Sequence, residues 1–434
     1  MTQIFDQMAS WLQDPAVVAL IIIACALVLY ITELIPIAVT SVLACLALAI
    51  FGVITPATAF SGFANDMVFL IVGMVIVGNA LFETGIAQMM GKGIIRIVGG
   101  NEKLFVVVLI LIATIPAAFL SNTAAAAMML PVAAAAVAAS NGKFSKKRTF
   151  MVVGIAAVTS GGLTLVGSTP QLIAQGLLED GGHELMGFFD LAIIGAPIIG
   201  LLLLYYLTIG RKILAKTAEE GESADEDEAL KVQEVERSPI KIAITLGVLV
   251  FCIIGFVLDF WSLGVVAMLG ASICVATSCI SIKRVYSTMS WNTVVVIGGS
   301  LGISAGLAQS GAGTMIAEGM VSLLGENVSP WLVTAGLSLI AVVLGNFMSA
   351  TATAALLIPI TISIAVQMGF DVRSVVIAVV IASNISYATP VSTPPMTMTL
   401  SAGYRFIDYI KFGGLFNILA YLLAIILFPL VLNL

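Results

Sequence analysis

Apolar stretches of membrane-crossing length follow one another along this chain, at about 15–33, 36–54, 65–82, 188–209, 241–258, 262–281, 291–309 and 408–432. A helix of roughly 20 residues rises the thickness of a bilayer's hydrocarbon layer, so each stretch predicts one span. Four further apolar stretches are interrupted. Residues 103–139 and 330–368 carry small polar triplets at their middles, Ser121-Asn122-Thr123 and Ser349-Ala350-Thr351. Both predict re-entrant helical hairpins, the first broken by Pro116, the triplet and Pro131. Residues 149–177 and 373–400 predict spans broken at Gly167-Ser168-Thr169-Pro170 and at Val391-Ser392-Thr393-Pro394-Pro395. In 84–100, Gln88, Lys92 and Arg96 stand among apolar residues at helical spacing, which predicts a helix lying in the interface. Residues 310–328 predict a second one.

The pattern occurs twice. Ser121 aligns with Ser349, Thr123 with Thr351 and Pro131 with Pro359, each 228 positions on. The breaks align at an offset of 224, Ser168 with Ser392 and Thr169 with Thr393. Between the halves, 211–240 is rich in Glu, Asp and Ser and predicts a solvated linker. Residues 1–210 and 241–434 therefore form two repeats, each of five full spans and one hairpin. An odd span count requires the second repeat to sit upside down in the membrane. Inverted repeats with discontinuous helices are typical of secondary transporters. With the linker in the cytoplasm, all but Arg373 of the 18 Lys and Arg residues fall on the inner side. That distribution obeys the positive-inside rule. It predicts both termini outside and a multi-pass protein of a bacterial-type plasma membrane.

Composition agrees: 60% of residues are hydrophobic and 10% charged, with a mean hydropathy of +1.15. Soluble domains average about 25% charged residues. The five cysteines all lie in apolar segments without a CxxC pair, and there is one histidine, so disulfide and metal-cluster readings are weak. The N-terminus has no basic region or cleavage site, so 15–33 reads as a retained span. No Lys or Arg falls within a span, and the acids Glu33, Asp66, Glu83, Asp190 and Asp259 sit at or near span ends. Asp66 begins a span, which predicts N-capping. A proton relay normally places acids or histidine inside the membrane.

The breaks carry the candidate chemistry. An unpaired N–H or C=O in hydrocarbon costs several kcal/mol, so unwound helix persists only where protein or ligand satisfies it. Half-helix N-termini favour anions. Unwound carbonyls and hydroxyls are hard oxygen ligands suited to Na⁺. The plainer reading of each Ser and Thr is a bond to its own backbone or to a neighbouring helix. The aligned repeat favours a site instead. Gly298, Gly299 and Gly302 read as close helix packing, and His183 as a surface residue.

Thr32-Glu33-Leu34-Ile35-Pro36-Ile37, the Ser121-Asn122-Thr123 triplet, the two Thr-Pro breaks and the repeated halves resemble the divalent anion/sodium symporter family of the ion-transporter superfamily. The resemblance covers nearly the whole chain. It implies a homodimeric elevator with scaffolds at 15–100 and 241–328. The transport parts would be 103–209 and 330–434. It further implies that a carboxylate substrate meets Ser121, Asn122, Thr123, Ser349, Ala350 and Thr351, beside Thr169, Pro170, Thr393 and Pro394. Na⁺ would lie at Ser121, Asn122, Gly167 and Ser168, and at Ser349, Thr351, Val391 and Ser392. The chain departs from the family's pattern at Ala350, Gln171 and Met396, where the family has Asn. The expected function is Na⁺-coupled transport of a small organic anion, most simply a di- or tricarboxylate. The alternatives are a cation-independent exchanger, an inorganic oxyanion carrier and, further off, a channel. Nothing in the chain resembles a catalytic metal motif or a nucleophile–base pair.

Overall fold

The computed structural model describes residues 14–32, 34–84, 98, 101–140, 144–219, 238–258, 260–289, 291–324, 329–390 and 392–432. Glu33, Asp259, Val391, most of the expected interfacial helix at 84–100 and residues 220–237 of the linker lie outside the described residues. Every described element is helical, and eight helical stretches among them are long and apolar enough to cross a membrane. The chain is an all-α polytopic membrane protein.

The first half opens with α1 (Pro15–Thr32), α2 (Ile37–Ile50), the short α3 (Pro56–Ser61) and α4 (Asp66–Glu83). Residues 55–64, between the expected spans 36–54 and 65–82, are largely helical. Thr55 caps a helix there by accepting from the Thr58 amide, with Pro56 in its first turn. Next come α5 (Glu102–Phe119) and α6 (Asn122–Ala139), separated by Leu120 and Ser121 in extended conformation. Only Leu120 and Ser121 interrupt this hairpin, and Asn122 and Thr123 are already helical. Pro116 and Pro131 lie inside α5 and α6, as membrane helices tolerate when neighbours re-satisfy the freed carbonyls. The broken span follows as α7 (Lys146–Gly161) and α8 (Thr169–Asp180), then α9 (Ala192–Tyr205), a π-helical turn at Tyr206–Gly210 and α10 (Arg211–Glu219). The linker was expected to be loop from residue 211. Its first nine residues are helical because Leu214, Thr217 and Ala218 form one buried face, leaving Lys212 and Lys216 in solvent.

The second half repeats this order. It runs α11 (Pro239–Leu258), α12 (Leu263–Ala276), the short α13 (Ile282–Thr288), α14 (Trp291–Ser310) and α15 (Ala312–Leu324). The hairpin is α16 (Pro330–Phe347) and α17 (Ala350–Met368). The broken span is α18 (Val372–Asn384) and α19 (Pro394–Met398). Last come α20 (Phe406–Tyr409), a second π-helical turn at Ile410–Gly414 and α21 (Leu415–Val431). Both breaks begin earlier than their Thr-Pro motifs, at Gly162 and Ile385. Pro170 and Pro394 do not end a helix; they occupy the first turn of the returning half-helix, where a missing N–H costs nothing.

The halves hold each other through glycines. Helix α4 packs on α12, and α2 packs on α14. A Cβ at Gly73 would stand 2.5 Å from the Ala267 carbonyl carbon, and one at Gly299 would stand 2.6 Å from Ser41 Cβ. Gly298 and Gly302 are equally tight, against Phe63 and Cys45, so these glycines serve helix packing as the pattern implied. Asp66 does not cap its own helix. It reaches across to accept from the Gly264 amide at 2.8 Å and the Ser262 hydroxyl at 2.7 Å, capping α12. A Gly73→Ala protein is expected to lose roughly 1–3 kcal/mol, since the clash is with backbone that cannot move aside. A melting temperature equal to the parent's in detergent would show that the two helices are free to separate.

Candidate functional site

Each hairpin tip is a capped helix start. Ser121 Oγ accepts from the Ala124 amide at 3.2 Å, and Ser349 Oγ accepts from the Ala352 amide at 3.1 Å. The serines thus act as N-caps, the plainer of their two readings. The first two amides of α6 and α17, at Asn122–Thr123 and Ala350–Thr351, stay at the open, positive helix end. Thr123, Ser349 and Thr351 are half-buried, and Ser121 is exposed.

Asn122 ties the first tip to the first break. Its amide lies 3.0 Å from both the Gly167 and Ala157 carbonyl oxygens, so its nitrogen faces them and donates to both. Gly161 leaves room for it: a Cβ there would fall 1.9 Å from that amide nitrogen. Thr164 also donates to the Ala118 carbonyl. Ser121, Ser168 and Thr169 share a cavity of about 50 Å³ with Thr293 of α14, opposite Ile71 and Met74 of α4. Neither Ser349, Ala350 nor Thr351 reaches that cavity.

The second tip is held differently. Ala350, where Asn122 has its counterpart, is buried. Asn346, one turn before the tip, does the tying. It donates to Val342 O at 2.7 Å and Ile385 O at 3.4 Å, and accepts from the Ala388 amide at 2.9 Å. The Thr389 hydroxyl donates to the Asn346 carbonyl at 2.7 Å, as Thr164 does to Ala118 in the first half. Ser392 is buried and donates within the unwound segment, to Ser386 O at 2.6 Å. Thr393 is buried with an unpartnered hydroxyl, as are Thr353 and Ser386. Thr169 and Pro170 open α8, and Thr393 precedes Pro394 at the start of α19.

The two breaks meet each other. Ser168 Oγ lies against Gln171 Oε1 and 2.7 Å from Asn384 Oδ1. The amide nitrogens fix this arrangement: Gln171 donates to Gly161 O and Asn384 to Val380 O, both at 2.9 Å. Three oxygens therefore converge with one hydroxyl hydrogen among them. The longer Gln171 still spans its break, and Met396 is simply buried beside Gly154. The half-helices also cross over, with α8 packing on α17 and α19 packing on α6.

Asn346, Asn384 and Asn417 (which accepts from the Tyr387 amide at 2.8 Å) had no place in the reading of the sequence, which weighed charges within spans. Uncharged amides inside apolar helices were the signal that would have found them. No ionisable side chain belongs to the candidate set, so its polarity is that of hydroxyls, amides and helix ends.

Comparison with known proteins places the chain among membrane transporters. A sodium-dependent dicarboxylate transporter from Staphylococcus saprophyticus is 26% identical over 90% of this chain and 81% of its own length. An uncharacterized transporter from Methanocaldococcus jannaschii is 26% identical over 64% of this chain, which spans 63% of that protein. The YdaH transporter of Alcanivorax borkumensis shares the fold, with a TM-score of 0.61 over 86% of each chain at 14% identity. The family described as citrate transporter matches residues 27–371 and 329–433. Matched along nearly its whole length, the chain belongs to the citrate transporter family.

Proposed function

We propose that this protein carries a small carboxylate anion, a di- or tricarboxylate, together with Na⁺. The observation that carries the reading is the cluster of Ser168 Oγ, Gln171 Oε1 and Asn384 Oδ1, three hard oxygens short of hydrogens. A monovalent cation satisfies such a cluster, and hydroxyls, amides and unwound carbonyls are the ligands Na⁺ takes in broken helices. The anion would rest on the open start of α6, at Ser121, Asn122 and Thr123, with Thr169 and Pro170 beside it and the cation offsetting its charge. Ser349, Ala350 and Thr351 would face the anion from the second tip. A second cation would lie near Ser392.

Movement would follow the packing. The glycine-mediated contacts of α4 with α12 and of α2 with α14 make one body, here taken as the scaffold. The hairpins and crossed half-helices make the other, which would slide against it as an elevator with the halves inverted in the membrane. A homodimer with the linker in the cytoplasm completes the reading. The name of the Staphylococcus relative supports dicarboxylate and Na⁺ as first candidates.

The test is uptake of labelled succinate and citrate into liposomes, with and without an inward Na⁺ gradient, alongside substrate affinity at fixed Na⁺. Coupled sites typically change each other's affinity by roughly 5–150-fold, so Na⁺ is expected to tighten carboxylate binding within that range. Equal binding and uptake with choline in place of Na⁺ would remove the coupling. Ala350, which leaves the second tip one amide short, favours a second reading with a smaller oxyanion such as sulfate. Counterflow of sulfate without any cation gradient would favour that reading.

A further inference from the structure

A second anion-binding feature lies away from the tips. At one end of the bundle, a pocket of about 330 Å³ opens between the starts of α5 and α7, the π-helical turn after α9, and α10. It is lined by Lys103, Arg148, Arg211 and Lys212, with one acid, Glu102, and the Tyr206 ring. The acid is already engaged: one carboxylate oxygen accepts from the Ser145 amide at 3.1 Å and the other from Arg148 at 3.2 Å. Four cations against one anion leave a net charge of +3 on the lining. Arg148 lines the pocket, and its Nε–H, buried behind the lining, has no acceptor. Two long helices, α5 and α7, also begin here and add the positive ends of their dipoles.

We propose that this pocket binds a phosphate-bearing anion, and that in the membrane the headgroup of an anionic phospholipid fills it. Arginine's planar fork suits phosphate oxygens, and the lysines add point charges. Basic pockets between membrane helices on the cytoplasmic side hold such headgroups, and the site lies on the side that the charge distribution assigns to the cytoplasm. Leu204 and Leu207, exposed on the last turns before α10, offer the adjoining apolar surface an acyl chain needs. The π turn at Tyr206–Gly210 re-aims the chain there, so that Arg211 and Lys212 enter the pocket beside Lys103 and Arg148.

The test uses the full-length protein in neutral detergent, with melting temperature read against added phosphatidylglycerol, phosphatidylcholine or inorganic phosphate. Phosphatidylglycerol is expected to raise the melting temperature while phosphatidylcholine does not. A Lys103→Gln/Lys212→Gln protein is expected to need roughly thirtyfold more lipid for the same shift, because two cations near the phosphate are gone. These lysines are on the surface end of their helices, and the variant keeps the Arg148–Glu102 pair, so its folding is checked by its melting temperature without lipid. An equal response to inorganic phosphate supports the site and assigns it to soluble phosphate. No response to either anion, or an undiminished response in the variant, overturns the proposal.

Discussion

An Asn122→Ala protein is expected to lose transport while remaining folded. The amide of Asn122 is the donor for two carbonyls of the broken span, Ala157 O and Gly167 O. Each buried acceptor left without a donor costs roughly 1–3 kcal/mol. The loss falls on the break, while the glycine contacts between the halves stay intact. If the break must be held for the anion to bind, apparent affinity drops with the fraction in which it is held, by roughly 5–150-fold for each acceptor left unmet. Asn122→Asp separates donor from volume. It keeps the shape but places a carboxylate against two carbonyl oxygens, so it is expected to be at least as damaging. Uptake into liposomes and the melting temperature of each protein check this. Wild-type uptake by Asn122→Asp would show that the amide donor is not what holds the tip.

Asn346→Leu is expected to produce the largest loss of stability. The side chain makes two donations and one acceptance, and two of the three bonds reach the unwound segment at Ile385 and Ala388. A leucine fills nearly the same space and satisfies neither group. With one buried and one half-buried backbone group unmet, at Ile385 and Ala388, the cost is about 2–4 kcal/mol. Amide hydrogen exchange is the sharpest readout, because protection should fall at Ala388 and its neighbours before the helices themselves open. Unchanged protection there would mean that some other group holds the segment.

Most of the helical frame was legible because hydrophobic runs and bilayer thickness are strong, redundant signals. The starts of α4, α11, α14 and α16 fall within two residues of the expected spans. The tips were legible too, since Ser121 and Ser349 interrupt apolar runs at aligned positions and both cap helices. The start of each break was not. Thr-Pro reads as a helix breaker, yet Pro170 and Pro394 begin helices, and the unwinding starts with Gly162 and Ile385 instead. Backbone unwinding depends on which side chains arrive from elsewhere to satisfy it. Asn346 and Asn384 are such side chains, and nothing in local pattern announces their reach. Gln171 shows the converse. It departs from the family's pattern but performs a bridging task, closing its break onto Gly161 O.

The exchange of residue types between the halves has one further consequence. The first half places Asn on the tip (Asn122) and Gly at the end of α7 (Gly161), whereas the second places Ala on the tip (Ala350) and Asn at the end of α18 (Asn384). Because Asn384 stands at the helix end, its oxygen reaches Ser168 of the opposite half. One hydroxyl hydrogen is thus held in common by two breaks that a symmetric protein would keep apart. A ligand bound at Ser168, as proposed, would release Asn384, and a shift in α18 would withdraw a partner from Ser168. If ligands load both breaks, as proposed, this shared hydrogen couples them, and the change that one ligand makes in the other's affinity is reciprocal.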